Sequence, residues 1–164
     1  MFGKLFKKKE EVTDVSINAP VSGEVVALEE VPDPVFSEKM MGDGVAIKPT
    51  NGEVVSPVIG EIIQVFPTKH AVGIRAENGA EILIHIGLET VSLDGEGFTS
   101  YVGEGDQVKQ GDKLIHFDMD IIRGKAKSTV TPIIITNTDD MSNIEAKTIK
   151  EVIAGQDEII QVTK

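Results

Sequence analysis

Two of the three histidines in this chain, His70 and His85, stand on either side of one hairpin, in the run Thr68-Lys69-His70-Ala71-Val72-Gly73-Ile74-Arg75-Ala76-Glu77-Asn78-Gly79-Ala80-Glu81-Ile82-Leu83-Ile84-His85-Ile86-Gly87. Asn78-Gly79 between two apolar-alternating segments is the strongest short-range hairpin signal, because a type I′ turn needs positive φ at both central residues. A two-residue turn predicts that Glu77 faces Ala80, that His85 lies opposite Val72, and that His70 shares that face, diagonal to His85. An odd loop or a bulge would put the two rings on opposite faces.

Two neutral imidazoles on one face offer a nucleophilic nitrogen and a neighbouring N–H donor near neutral pH. Three kinds of chemistry fit: half of a metal site, a general acid and base pair, or a histidine nucleophile whose covalent adduct the second histidine stabilises. The plain alternative is packing, with one histidine satisfied in the core and the other exposed. His85 lies in Ile82-Leu83-Ile84-His85-Ile86, so its ring is either buried at a cost or opens onto an apolar surface. His116, in Leu114-Ile115-His116-Phe117-Asp118, would complete a three-histidine zinc hydrolase. The His-x-His pattern of zinc peptidases with related sandwich topology would need histidine at Leu114, so a structural or surface role is expected for His116. Gly124-Lys125 is not the end of a phosphate-binding loop, because the positions that need Gly and Ser or Thr hold Met119 and Ala126. Gly95-Glu96-Gly97 lacks the third glycine of a dinucleotide fingerprint.

Short elements must position these residues. Ala19-Pro20-Val21-Ser22-Gly23-Glu24-Val25-Val26-Ala27-Leu28 returns 37 residues later as Ser56-Pro57-Val58-Ile59-Gly60-Glu61-Ile62-Ile63-Gln64-Val65. Both copies read as a turn entering a β-branched strand, an internal duplication with too few copies for a solenoid. Further strands are predicted at 44–49, 113–117 and 130–136. Turns are predicted at Pro32-Asp33-Pro34, Gly42-Asp43-Gly44, Asp94-Gly95-Glu96-Gly97 and Gly103-Glu104-Gly105-Asp106. Residues 142–155 are ambiguous between helix and strand. Many short strands, 16 glycines and little helical periodicity predict an all-β fold, an antiparallel sandwich or barrel-like domain with little helix.

The 164 residues, 40% of them hydrophobic, suit one packed domain, expected over residues 14–164 after an N-terminal segment, 1–13. No stretch approaches the roughly 20 apolar residues that span a bilayer, and nothing resembles a cleavable signal. Without cysteine, disulfides, thiolate metal sites and cysteine nucleophiles are excluded, and a reducing cytoplasm is the simplest location. A net charge of −11 opposes nucleic-acid binding. The first nine residues run against that charge with Lys4, Lys7, Lys8 and Lys9. Phe2, Leu5 and Phe6 cluster on one side of their helical projection, the pattern of a short helix on an anionic membrane surface. The alternative is a solvated start, since nine residues are too few to be helical in water.

Six blocks in order give the chain a resemblance to the glucose-family enzyme IIA component of the bacterial phosphoenolpyruvate-dependent sugar phosphotransferase system. They are Ala19-Pro20-Val21-Ser22-Gly23, Met41-Gly42-Asp43-Gly44-Val45-Ala46-Ile47-Lys48-Pro49, Thr68-Lys69-His70-Ala71, His85-Ile86-Gly87-Leu88-Glu89-Thr90-Val91, Leu93-Asp94-Gly95-Glu96-Gly97-Phe98 and Lys125-Ala126-Lys127-Ser128-Thr129-Val130-Thr131-Pro132. The resemblance implies a phosphocarrier on an antiparallel β-sandwich. In it, His85 matches the histidine that takes a phosphoryl group from the histidine phosphocarrier protein and passes it to a cysteine of the IIB domain. His70 matches the histidine that hydrogen-bonds the phosphoryl oxygen, and Thr68 the residue that orients His70. Glu89 and Asp139 match acidic residues around the site, although Asp is common where Glu89 stands. Phe36, Met40, Met41, Phe66 and Val91 fall where the family has an apolar docking ring. The scheme requires no metal, though His70 and His85 could share a zinc ion with a partner's carboxylate, as the family's regulatory complexes suggest. The implied location is cytoplasmic, at the inner face of the membrane. The rival readings are a zinc hydrolase and a regulatory binding module that is never phosphorylated.

Overall fold

A computed structural model describes residues 11–164 of the chain. Its largest sheet has eight strands in the spatial order β13 (Glu151–Val152), β2 (Gly23–Ala27), β3 (Asp43–Pro49), β11 (Thr131–Ile135), β7 (Glu81–His85), β6 (Ala71–Ala76), β5 (Gly60–Val65), β9 (Gln107–Val108). A second sheet joins β1 (Asp14–Asn18), β14 (Glu158–Thr163) and β12 (Asn143–Ala146); a third joins β4 (Glu53–Val55), β10 (Lys113–Phe117) and β8 (Phe98–Ser100). Neighbouring strands within each sheet run antiparallel. This is the predicted all-β, sandwich-like class. The ambiguous stretch 142–155 resolves into two strands, β12 and β13, rather than a helix.

The large sheet divides its side chains by the two-residue period of the strand. On one face Val45, Ile47, Ile133, Ile135, Ile82, Ile84, Val72 and Ile74 pack with Ile17, Ile160, Val162, Leu114 and Phe117 of the smaller sheets into the main core. Burying each such side chain contributes about 1.5–3 kcal/mol. The other face carries Gly44, Ala46, Ala71 and Gly73 beside Leu83 and Ile134. On this face Ala46, Ala71, Leu83 and Ile134 pack with Leu28, Val31, Phe36, Leu88 and Val130 as a second apolar cluster. The histidines stand at the edge of this cluster.

The duplication becomes a pseudo-twofold axis through the β11–β7 pair. Read from either edge, the sheet repeats itself: Val152 pairs with Gly23 as Val108 pairs with Gly60, and β2 pairs with β3 as β5 pairs with β6. A Cβ on Gly23 would lie 2.0 Å from the Lys48 carbonyl oxygen, and one on Gly60 would lie 2.2 Å from that of Arg75, so both repeats require glycine there. The symmetry extends to a repeat the sequence did not reveal. Gly155 N–H donates to the Ala19 carbonyl at 2.8 Å and Gly111 N–H to that of Ser56 at 2.9 Å, while Ile153 and Lys109 N–H donate to the carboxylates of Asp157 and Asp112. One inserted residue, in Val152-Ile153-Ala154-Gly155-Gln156-Asp157 against Val108-Lys109-Gln110-Gly111-Asp112, hides that match.

Two short helices were not anticipated. In α1 (Pro34–Ser37), Asp33 caps the N-terminus by accepting from Val35 N–H at 2.9 Å, with Pro34 in the first turn; the turn predicted at Pro32-Asp33-Pro34 is the start of this helix. In α2 (Met119–Lys125), Asp118 accepts from Asp120 and Ile121 N–H. Gly124-Lys125 therefore lies at the C-terminal end of a helix, not at the start a phosphate loop would need.

Candidate functional site

The hairpin carrying the two histidines does not have the predicted register. Ala76 N–H donates to the Ala80 carbonyl at 2.8 Å and Gly79 N–H to that of Ala76 at 3.0 Å, closing a three-residue loop, Glu77-Asn78-Gly79, in which only Gly79 has positive φ. Asn78 sets this loop. Its buried amide donates to the Thr13 and Val162 carbonyls, and its oxygen accepts from Ala80 N–H. His85 therefore lies opposite Ala71, not Val72.

By pleat alone the odd loop would separate the rings, yet their centroids are 5.0 Å apart, edge to face. The reason is that His70 precedes the first residue of β6. Lys69 is left-handed (φ 61°), its N–H donates to the Phe66 carbonyl at 2.7 Å, and Phe66 N–H donates to that of Ala71, so the chain is still turning at His70. The His70 carbonyl accepts from Ile86 N–H at 2.7 Å, which fixes one histidine's backbone beside the other's.

His85 Nδ1 lies 2.8 Å from the Gly87 carbonyl oxygen. A carbonyl only accepts, so Nδ1 carries the proton and Nε2 keeps a free lone pair. His70 Nδ1 is held at 2.5 Å by the Thr68 hydroxyl from the same loop. The Phe36 ring packs on His85 with centroids 5.1 Å apart, and Phe66 on His70 at 5.5 Å. Burial, followed by the neighbouring His85, lowers the His70 pKa from 6.5 to about 4. Burial also lowers that of His85, against a smaller upward pull from the Gly87 carbonyl and the Asp33 carboxylate. Both rings are neutral at pH 7.

The structure thus brings together His85, His70, Thr68, Phe36 and Phe66. Met40 and Met41 line a cavity of about 550 Å³ with Asp139, in the turn Thr138–Asp140, and neither histidine lines it. Met40 is 70% exposed and Val91 57%, large fractions for apolar side chains. Glu89, exposed and left-handed (φ 59°), lies with Val91 in the segment following His85. Among the described residues, no side-chain hydrogen bond or ring contact joins Met40, Met41, Glu89, Val91 or Asp139 to either histidine. The residue that sequence reasoning missed is Asp33. Its signal was available as an N-cap aspartate directly before a proline.

His116 is elsewhere. It lies on β10 opposite Thr99 and Glu53, 45% exposed, with Nδ1 3.2 Å from the Glu53 carboxylate. No group of three or more His, Cys, Asp or Glu side chains able to hold a metal ion occurs among the described residues. Among them, too, no helix is long and apolar enough to cross a membrane.

The family model described as phosphoenolpyruvate-dependent sugar phosphotransferase system, EIIA 1, matches residues 15–141. Over 163 residues, and 99% of both chains, the sequence is 58% identical to a protein of Oceanobacillus iheyensis named PTS system glucose-specific EIIA component. A Staphylococcus epidermidis protein of the same name is 54% identical over 164 residues, again across 99% of each chain. The structure is similar to glucose permease IIA from Mycoplasma capricolum, with a TM-score of 0.85 and 42% identity, over 93% of this chain and 99% of that one.

Proposed function

Because the chain belongs to the EIIA 1 family of the phosphoenolpyruvate-dependent sugar phosphotransferase system, and so is a phosphocarrier of sugar uptake, we propose that His85 is the residue that carries the phosphoryl group. One observation carries this reading: the Nδ1 proton of His85 is committed to the Gly87 carbonyl, which leaves Nε2 unprotonated 5.0 Å, ring to ring, from a second neutral histidine. The donor is the histidine phosphocarrier protein and the acceptor a cysteine of a IIB domain. The relatives' names point to glucose as the sugar served.

In this reading His85 Nε2 attacks the phosphorus of the donor's phosphohistidine. The new N–P bond forms as the donor's N–P bond breaks, and the departing donor ring keeps the electron pair. His85 retains its Nδ1 proton, and the Gly87 carbonyl opposes the positive charge that develops on the ring. Thr68 donates its hydroxyl proton to His70 Nδ1, so the His70 proton sits on Nε2 and serves the phosphoryl oxygens. Phosphoryl transfer asks mainly for such positioning and for donors to the equatorial oxygens. Phe36, Met40, Met41, Phe66 and Val91 form the apolar docking rim that keeps water from the phosphohistidine, with Glu89 and Asp139 as its acidic contacts.

Among the described residues no third metal-ligating side chain joins His70 and His85, so a zinc ion shared by them would take further ligands from a partner's carboxylate. Residues 1–9 lie outside the described residues; their four lysines and Phe2, Leu5 and Phe6 support a weak tether to an anionic membrane face. The test of the main reading is incubation with phosphoenolpyruvate and the two general phosphotransferase proteins, followed by intact-mass measurement. One added phosphoryl group is expected. No addition would leave a regulatory binding module, and stoichiometric zinc with chelator-sensitive hydrolysis would indicate the hydrolase.

A further inference from the structure

Thr90 is fully buried, and its hydroxyl donates to the Ile86 carbonyl at 2.6 Å. The peptide that bears that carbonyl also contains the Gly87 nitrogen. Gly87 is left-handed (φ 73°), and a Cβ placed on it would lie 2.7 Å from Thr90 Cγ2 and 2.9 Å from the Ser128 carbonyl oxygen. One side chain therefore holds the Ile86–Gly87 peptide by its oxygen and covers the Gly87 Cα with its methyl. The next peptide, which carries the Gly87 carbonyl and the Leu88 N–H, has a backbone partner: Leu88 N–H donates to the Ser128 carbonyl at 2.9 Å, and the peptide after it is held where Lys127 N–H donates to the Leu88 carbonyl at 3.1 Å. The acceptor for His85 Nδ1 thus sits between two clamps. The outer one is made by backbone alone, and the inner one depends on the Thr90 hydroxyl.

From this geometry we propose that Thr90 is a positioning residue for phosphoryl transfer: its hydroxyl orients the Gly87 carbonyl that keeps the proton on His85 Nδ1 and leaves Nε2 free to receive phosphorus. The inference rests on His85 as the phosphoryl acceptor. Without the hydroxyl the Ile86–Gly87 peptide loses its anchor and the chain can rotate about Gly87, which tilts the Gly87 carbonyl off the line to His85 Nδ1; the proton then redistributes between the two ring nitrogens, and the fraction of His85 with a nucleophilic Nε2 falls. Groups that fix the tautomer of a metal-ligating imidazole are typically worth about 10–100-fold, and that is the scale expected here.

Two substitutions separate the hydroxyl from the methyl. Thr90→Val keeps the shape and removes the donor; Thr90→Ser keeps the donor and removes the methyl. The imidazole ¹⁵N shifts of His85, read by long-range ¹H–¹⁵N correlation in the full chain, report which nitrogen is protonated without any phosphoryl transfer. Wild type and Thr90→Ser are expected to hold the proton on Nδ1, whereas Thr90→Val shifts it toward Nε2. Phosphoryl acceptance by Thr90→Val is expected to fall about 10–100-fold in kcat, with KM for the donor protein unchanged. A Thr90→Val protein with the wild-type tautomer and rate overturns the proposal. Should Thr90→Val not fold, Thr90→Ser decides: wild-type tautomer and rate support the hydroxyl's role, and loss of either overturns it. If wild type shows the Nδ1 tautomer yet takes no phosphate on His85, the reading of His85 fails while the tie between Thr90 and its tautomer stands.

Discussion

The two halves of the large sheet share one backbone plan, and only one half carries histidines. Gly44 pairs with Ile134 in the first as Ala71 pairs with His85 in the second. By the same register Asp43 occupies the place of His70, and Ile135 that of Ile86. Even the carbonyl clamp recurs, since the Thr138 hydroxyl donates to the Ile135 carbonyl at 2.6 Å as Thr90 does to Ile86. The halves part in the connection. The segment from Ile86 to Thr90 is one residue longer than that from Ile135 to Thr138, and its additional length holds the left-handed Gly87. The carbonyl of that residue is the one that meets His85 Nδ1. The sheet supplies the location, and one turn supplies the chemistry.

The sharpest way to break the comparison is to make the halves alike. His85→Ala removes the only feature that distinguishes β7 from β11 as a nucleophile, so phosphate incorporation from phosphoenolpyruvate is expected to vanish. Labelling that persists in this variant would move the acceptor elsewhere. His70→Gln keeps an N–H donor but alters its reach and basicity. Acceptance should survive, while donation to IIB slows by about a hundredfold, the scale of a lost acid or base partner. Loss of acceptance instead would make His70 the primary nucleophile.

Stability should also divide between the halves. His70 takes up a proton near pH 6.5 when unfolded but only near pH 4 when folded. Between those values the unfolded state binds more protons, so stability falls as pH drops from about 6.5 to about 4 and this contribution levels off below. The His70 share is about 3 kcal/mol. Urea unfolding at pH 7 and pH 4 should find that His70→Asn shrinks this acid loss; an equal loss in both proteins would place the sensitivity outside His70.

Much of this was legible in the sequence, for reasons that differ by element. The 37-residue repeat announced β2 and β5 because its Gly-Glu pairs start both strands against neighbouring carbonyls that admit no Cβ. The meeting of His70 and His85 was anticipated, but from the wrong register. Asn78-Gly79 read as a two-residue turn, whereas three hydrogen bonds from Asn78, two of them to carbonyls in distant segments, select a three-residue loop. Such distant partners are invisible to a local pattern. The helix α1 was missed because Pro32-Asp33-Pro34 reads equally as a turn, and its four residues show no helical period.

The smallest effect concerns the N-terminal segment. A chain beginning at Thr13 should take up phosphate on His85 at the full-length rate, but lose a salt-sensitive preference for anionic over neutral vesicles in a co-sedimentation assay. Equal binding to both vesicle types by the full chain, or a truncated chain that accepts no phosphate, would contradict the tether.

The most direct test is ³¹P and ¹⁵N NMR of the phosphorylated protein, which identifies the nitrogen bonded to phosphorus. The account predicts a single phosphohistidine with phosphorus on Nε2 of His85 and the Nδ1 proton retained. Phosphorus on Nδ1 of His85, or on either nitrogen of His70, would contradict it.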